Sequence, residues 1–378
     1  MAGRNATLVI AVGALVLSRG YTLIEVLLAL ALSLVLVSAI LSLIVSTQHS
    51  TAAVVARTRA QENLQLAFAL IERVVQRGGS FACADSQRPM VGFLNGDWSQ
   101  IPEYDITRSA LGYDGRGGGQ FVPDPTLTLP MSGVGGDQRV HKAGHGVDLE
   151  AVESAADILV VRGTGPSAPL AAPATGREPI ELPGQIVDFA VNDVVLVSDC
   201  EQAALVKITG VTDTPSGLML RWAQGPGTFD NASVGRIHGD EGTSESLALL
   251  PRGFAVDASV ATVITSIFYL APSLVRSRQG QMVRALWLKS GSDPSVEMIA
   301  GIDDLQVWFL VAEDISPVSR MGYFQAGQLP QDGVVIGLRI LLRSSSVDEL
   351  VEVGQRPVSM SATRTFMLPR FGRWGHAL

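Results

Sequence analysis

Between Tyr21 and Arg77 the chain holds neither glycine nor proline, and the helix formers Leu, Ala, Glu, Gln and Arg dominate the stretch. One helix over these residues, rising about 1.5 Å per residue, is on the order of 85 Å long and far exceeds the ~30 Å hydrocarbon core of a bilayer. Its two halves differ in pattern. From Tyr21 to Val45 apolar residues occupy every face, so this half demands lipid or other apolar helices around it. From residue 46 to 77 only one face is apolar. Ala60, Leu64, Ala67, Phe68, Ile71, Val74 and Val75 recur there at spacings of three and four, with Arg57, Gln61, Gln65, Glu72, Arg73 and Gln76 on the other faces. That spacing predicts a stripe laid against a folded body. The positive mean hydropathy of +0.29 comes mainly from the first half, so one membrane span and one soluble region account for it.

One carboxylate interrupts the apolar run. Glu25 lies near its start, and a charge left unpaired in hydrocarbon costs roughly 3 kcal/mol or more, so it calls for a partner. Arg19 and Gly20 stand just before the run. A cut between Gly20 and Tyr21 would put a new amino group one helical turn from Glu25, or beside the Glu25 of a neighbouring subunit, where the two charges neutralise one another. The segment Arg19-Gly20-Tyr21-Thr22-Leu23-Ile24-Glu25-Val26-Leu27-Leu28-Ala29-Leu30 resembles the prepilin cleavage and methylation motif of type IV pilins and type II secretion pseudopilins. The resemblance implies that prepilin peptidase cuts after Gly20 and that Tyr21 becomes the N-methylated first residue in place of the usual Phe. It also implies that Glu25 guides docking of the subunit into a growing filament. The competing reading is an ordinary signal anchor that happens to contain a glutamate.

On the resemblance, residues 1–20 are a prepilin leader, 21–45 the transmembrane and filament-core half of the helix, 46–77 its amphipathic half, and 78–378 a β-rich domain outside the cytoplasm. Leu8 to Leu17 is more apolar than such leaders usually are, and Ser18-Arg19-Gly20 supplies no A-x-A cleavage pattern, so translation is expected to start near Leu17. The first helical half also lacks the helix-breaking Pro of many major pilins, which favours a minor subunit. Length points the same way. Gln61 to Phe68, Ile71-Glu72-Arg73, Phe81-Ala82-Cys83, Ala156 to Arg162, Asn192 to Cys200, Ile302 to Val307 and Val335 to Arg343 together resemble the PilW family of minor pilins. That resemblance implies a role in priming pilus assembly within a tip-located minor-pilin complex. The implied partners are prepilin peptidase, the other minor pilins and the major pilin, the assembly platform, a tip adhesin, and the inner membrane before assembly. A J-type pseudopilin of type II secretion is the alternative, and a tip module for adhesion or DNA uptake a further one.

Beyond residue 83 the helical period gives way to short apolar runs separated by Gly, Pro, Ser and Asp, which read as strands. Expected strands cover 157–162, 193–198, 203–209, 217–222, 262–271, 283–289, 304–310, 334–343 and 357–367. The fold class is therefore α+β: a long N-terminal helix packed on an antiparallel β-sheet domain, pilin-like, with long loop insertions. Residues 84–150 hold twelve glycines and residues 164–184 five prolines, and both stretches read as loops, either partner-specific surface or insertions without a particular role.

The remaining residues suggest little chemistry. Cys83 and Cys200 are too few for a zinc site and pair as a disulfide in an oxidising compartment or stay as two buried thiols. A net charge of −8 argues against nucleic acid as the main partner. Asp137, His141, His145 and Asp148 have a spacing that a metal can use, but Gly144 and Gly146 favour a loop. Adjacent Asp303 and Asp304 read as a solvated strand start that points its carboxylates to opposite faces. G-x-S-x-G, H-E-x-x-H and P-loop patterns are missing, so neither an enzyme nor a cofactor is expected. The tail from Arg364 to Trp374 is basic and aromatic, and it reads as an edge strand with a frayed end ahead of a membrane- or DNA-facing tag.

Overall fold

The computed structural model describes residues 22–81, 90–95, 109–123, 152–176, 178–184, 187–199, 201–227, 230–238, 246–247, 253–277, 280–291, 295–312, 321–330, 334–347 and 358–368. It divides into two compact units, the chain up to Ala52 and the chain from Ala53 onward. One helix, α1 (Leu23–Val75), matches the expected stretch within two residues at each end. Glu25 in its first turn and Arg73 in its last complement the helix dipole, and Gly79, at φ 72°, takes the left-handed conformation that ends it.

The strands, in chain order, open with β1 (Met90–Leu94), β2 (Ala110–Gly117), β3 (Gln120–Val122), β4 (Ile158–Pro169), β5 (Ile180–Pro183) and β6 (Val194–Ser198). They continue with β7 (Ala203–Lys207), β8 (Gly210–Thr214), β9 (Gly217–Arg221), β10 (Asn231–His238), β11 (Ser246–Leu247) and β12 (Ser259–Arg276). The last are β13 (Met282–Ser290), β14 (Val296–Ala300), β15 (Ile302–Ala312), β16 (Met321–Phe324), β17 (Val334–Ser345) and β18 (Ser359–Met367). An 11-stranded sheet runs β11-β10-β1-β7-β6-β12-β4-β2-β3, with β13 and β14 added beside β12. A four-stranded sheet runs β16-β15-β17-β18, and a three-stranded one β5-β9-β8. Among the described strands only β1 and β7 pair in parallel. The 18-residue β12 serves two partners on one edge, β6 over Ser259–Thr262 and then β13 from Ser266 onward.

The expected helical stripe packs as its spacing demands. Ala60, Leu64, Ala67, Phe68, Ile71 and Val75 are buried and Val74 is half-buried. They meet Phe268, Leu270 and Leu286 of the large sheet and Leu305, Phe309, Leu338, Ile340 and Phe366 of the four-stranded sheet. The helix thus fills the space between two sheets with one core. A second core, with Phe93, Trp222 and Phe254, lies under the three-stranded sheet.

Two expectations need correction. Residues 84–150 are not one loop insertion, since they contain β1, β2 and β3. Their glycines serve packing and turning: a Cβ at Gly112 would stand 2.6 Å from the Phe309 ring, and Gly117, Gly118 and Gly119, all at positive φ, close the β2–β3 hairpin. Nor is 164–184 a loop throughout. β4 runs on to Pro169 because Gly165 and Pro166 fall where two pairs of partners shift register, Val263 with Thr164 and Ala261 with Ser167, and a bulge accepts a proline that a regular ladder would not.

Candidate functional site: the apolar helix and its seat

From Thr22 to Val45 every described side chain of α1 is exposed. This half of α1 holds the one window among the described residues that is long and apolar enough to cross a membrane, with a mean hydropathy of 2.8 and no part of it buried. Leu23 to Val45 rises about 34 Å, enough for a ~30 Å hydrocarbon core. Its hydroxyls look after themselves: Ser33, Ser42 and Thr47 each donate to the carbonyl three residues back, Leu30, Ala39 and Ile44, at 2.8 Å. Glu25 differs. It is the sole Asp, Glu, Lys or Arg from Thr22 to Ala56, its side chain is exposed, and among the described residues its carboxylate meets no cation. The N–H groups of Glu25 and Val26 both donate to the Thr22 carbonyl, at 3.0 and 3.2 Å, so the carboxylate belongs to an ordered first turn. Arg19, Gly20 and Tyr21 lie outside the described residues, as do Cys83, Cys200, Asp137, His141, His145 and Asp148.

At its other end α1 is stitched into β4. Gly79 N–H donates to Arg162 O at 2.8 Å, and Thr164 sends its N–H and hydroxyl to Ser80 O at 3.0 and 2.9 Å. Gly163 permits this, because any Cβ there would overlap the Arg77 carbonyl. One step further, Ser198 Oγ–H donates to Phe81 O at 3.4 Å, so the residues two places before each cysteine are in contact.

Two buried aspartates join the sheets around this seat. Asp157 Oδ1 accepts the Gly115 N–H at 2.9 Å and Oδ2 the Val307 N–H at 2.8 Å, linking the large sheet to the four-stranded one. Burial pushes its carboxyl up to about 6 against those two hydrogen bonds, with Asp114 and Asp304 adding to the rise. Asp114 accepts the N–H groups of Ala326 and Gly327, at 2.8 and 2.9 Å. Nothing in the sequence marks these two as different from other strand-edge acids. The only signal is an Asp directly before a long apolar run, as at Asp157-Ile158-Leu159-Val160-Val161.

The pair Asp303 and Asp304 is not a solvated start. Both are half-buried at a register shift in β15, Asp304 is 3.3 Å from Arg343, and burial raises the Asp303 carboxyl. The register shift between Ile302 and Asp304 breaks the strict alternation that the expectation of a solvated start assumed. Among the described residues no group of three or more His, Cys, Asp or Glu is arranged to hold a metal. Among the described strands β18 is an edge strand, paired with β17 alone, and its exposed Arg364 reaches over the Phe68 ring at 5.0 Å.

No protein-family model, curated protein or solved structure matches the chain. What it has in hand is therefore physical: an exposed apolar helix with one carboxylate in its first turn, and a β-rich body that grips the helix's far half. By length and composition that helix can cross a membrane, and Glu25 is the single Asp, Glu, Lys or Arg in it from Thr22 to Ala56.

Proposed function

We propose that this chain is a prepilin-like minor pilin of the PilW family, a structural subunit that primes assembly of a type IV pilus from the inner membrane. The observation that carries this reading is the run of α1 in which Glu25 is the single charge from Thr22 to Ala56, next to the Arg19-Gly20-Tyr21 junction. Gly20 and Tyr21 form the processing site for prepilin peptidase and N-methylation. Glu25 meets the new amino group of a neighbouring subunit during docking. The body faces the periplasm and then the pilus surface, in contact with other minor pilins, the major pilin and a tip adhesin. A Cys83–Cys200 disulfide suits that oxidising side, and the Phe81–Ser198 hydrogen bond supports it by drawing the two neighbourhoods together.

The test is N-terminal mass analysis of the chain from cells with and without the peptidase, beside a Glu25→Ala variant scored for surface pili. A methylated Tyr21 terminus and reduced piliation are expected. An intact Gly20–Tyr21 bond reduces the chain to an ordinary membrane-anchored exported domain. Normal pili with a secretion defect point instead to the J-type pseudopilin.

A further inference from the structure

The strands that end the sheets are short, with one exception. β3, β5, β8, β11, β14 and β16 each pair with a single described strand and run two to five residues. β18 also pairs with one described strand, β17, yet it runs nine residues, in unbroken register from Ser359 opposite Ser345 to Met367 opposite Gly337. Proteins ordinarily blunt a long edge with a proline, a bulge or several charges, because its unpaired backbone groups recruit another chain. β18 reads Ser-Met-Ser-Ala-Thr-Arg-Thr-Phe-Met, with no proline, no bulge and the single charge of Arg364.

Which backbone groups are open follows from the ladder. The Ser346 N–H donates to Val358 O at 3.0 Å and the Leu368 N–H to Ile336 O at 3.2 Å, so the even-numbered residues of β18 bond toward β17. The N–H and C=O groups of Ser359, Ser361, Thr363, Thr365 and Met367 therefore point away from it. All five residues are exposed, and among the described residues their outward groups have no partner. The side chains add a pattern. On the face toward α1, Met360 and Ala362 are half-buried against the core and Phe366 is buried. Arg364, between Ala362 and Phe366, is exposed over the Phe68 ring and meets no carboxylate among the described residues.

We propose that β18 is a strand-addition site for an acidic extended segment of another protein, which lies antiparallel along it and sets a carboxylate against Arg364. The antiparallel sense continues the order β16-β15-β17-β18, in which every pairing is antiparallel. Main-chain hydrogen bonds to the five outward residues supply the affinity, and the side chains across the new pairing supply the choice of partner. Apolar residues opposite Met360 and Phe366 widen the core, an acidic one opposite Arg364 neutralises it, and hydroxyl-bearing ones suit the serine and threonine face. A second copy pairing through its own β18 fits worse, since that strand holds no acidic residue to set against Arg364. The inference stands on the body alone, so its failure leaves the reading of α1 untouched.

The test is hydrogen–deuterium exchange of the full chain in detergent micelles with the synthetic peptide Thr-Val-Thr-Glu-Thr-Val-Thr-Val-Thr. Its glutamate falls opposite Arg364 when its first residue faces Met367. At about 1 mM peptide the amides of Ser361, Thr363 and Thr365 are expected to exchange about fivefold more slowly, the protection given by a Kd of about 0.25 mM. The amides of Leu338, Ile340 and Leu342, which bond to β18 already, should not change and so report that the sheet is intact. A peptide with lysine in place of glutamate should bind about threefold more weakly. Arg364→Glu should reverse the order of the two peptides. Thr363→Pro removes one outward N–H, leaves the ladder to β17 whole, and should abolish the protection. Exchange that the peptide leaves unchanged, or that both peptides slow alike, overturns the proposal. So does slow exchange at these amides without peptide: protection that grows with protein concentration means that a second copy covers the edge, and constant protection that the chain covers it itself.

Discussion

Asp157 makes stability depend on pH in a direction opposite to that of most surface carboxylates. Its side chain is 2% exposed, and burial pushes its carboxyl from the ordinary 3.8 to about 6. Because the folded state binds this proton more tightly than the unfolded chain does, the contribution is fully present below about pH 4 and is lost as pH rises through 6. At pH 7 the ionised group costs roughly 3 kcal/mol, 1.36 kcal/mol times the difference between about 6 and 3.8. About 1 kcal/mol of that returns between pH 7 and pH 5. Asp157→Asn keeps the shape and one acceptor but has no proton to bind. Its absolute effect at pH 7 is small, since relief of the buried charge offsets a weaker hydrogen bond to Gly115 or Val307. The pH slope is the readout. Denaturant unfolding of the full chain at pH 7, 6 and 5 should show wild type gaining about 1 kcal/mol on the variant by pH 5. Parallel curves for the two proteins would refute the assignment of that proton to Asp157.

Phe68 lies against Phe366 with ring centroids 6.2 Å apart, so Phe68→Ala should cost about 3–5 kcal/mol, read as a lower unfolding midpoint, and an unchanged midpoint would deny that α1 shares this core. Gly163→Ala should destabilise by about 1–3 kcal/mol and speed exchange at the Gly79 and Thr164 amides, because the new methyl displaces the Arg77 carbonyl; equal exchange rates would sink this account of the helix seat. Peptide mapping of the oxidised chain should recover a Cys83–Cys200 linked pair worth roughly 4–5 kcal/mol on the chain-entropy model, and two free thiols would end that expectation. Deleting residues 84–150 as though they were a loop should abolish folding, since Phe93 and Tyr113 are buried there, and a soluble, cooperatively unfolding deletion variant would contradict the topology.

How much of this was legible in the sequence follows from where apolar residues are contiguous. α1 was readable almost to its ends because fifty-odd residues lack any breaker, and the stripe from Ala60 to Val75 followed from spacing alone. The nine strands expected from unbroken runs all exist, and several are longer than expected, β12 most of all. Strands whose apolar residues are diluted escaped notice: β2 reads Ala-Leu-Gly-Tyr-Asp-Gly-Arg-Gly, and β8, Gly-Val-Thr-Asp-Thr, has no fully buried residue. Gly112 and Gly115 of β2 approach Phe309 and the Ala156 carbonyl closely, partners distant in sequence that no local window contains. The Asp157 bridge was hidden for the same reason, since it joins strands far apart in the chain.

The order in which the helix and its cover are made has a cost in time. Phe68 belongs to the first element synthesised, and Phe366, which closes over it, to the last strand described. At ribosomal rates of about 5–20 residues per second, the apolar stripe of α1 waits on the order of 15–60 s for that cover. During this interval the nascent chain is a ligand for any chaperone that reads exposed aliphatic surface. A product truncated before β17 lacks that cover, which makes the C-terminal strand pair the checkpoint between a folded chain and one destined for proteolysis.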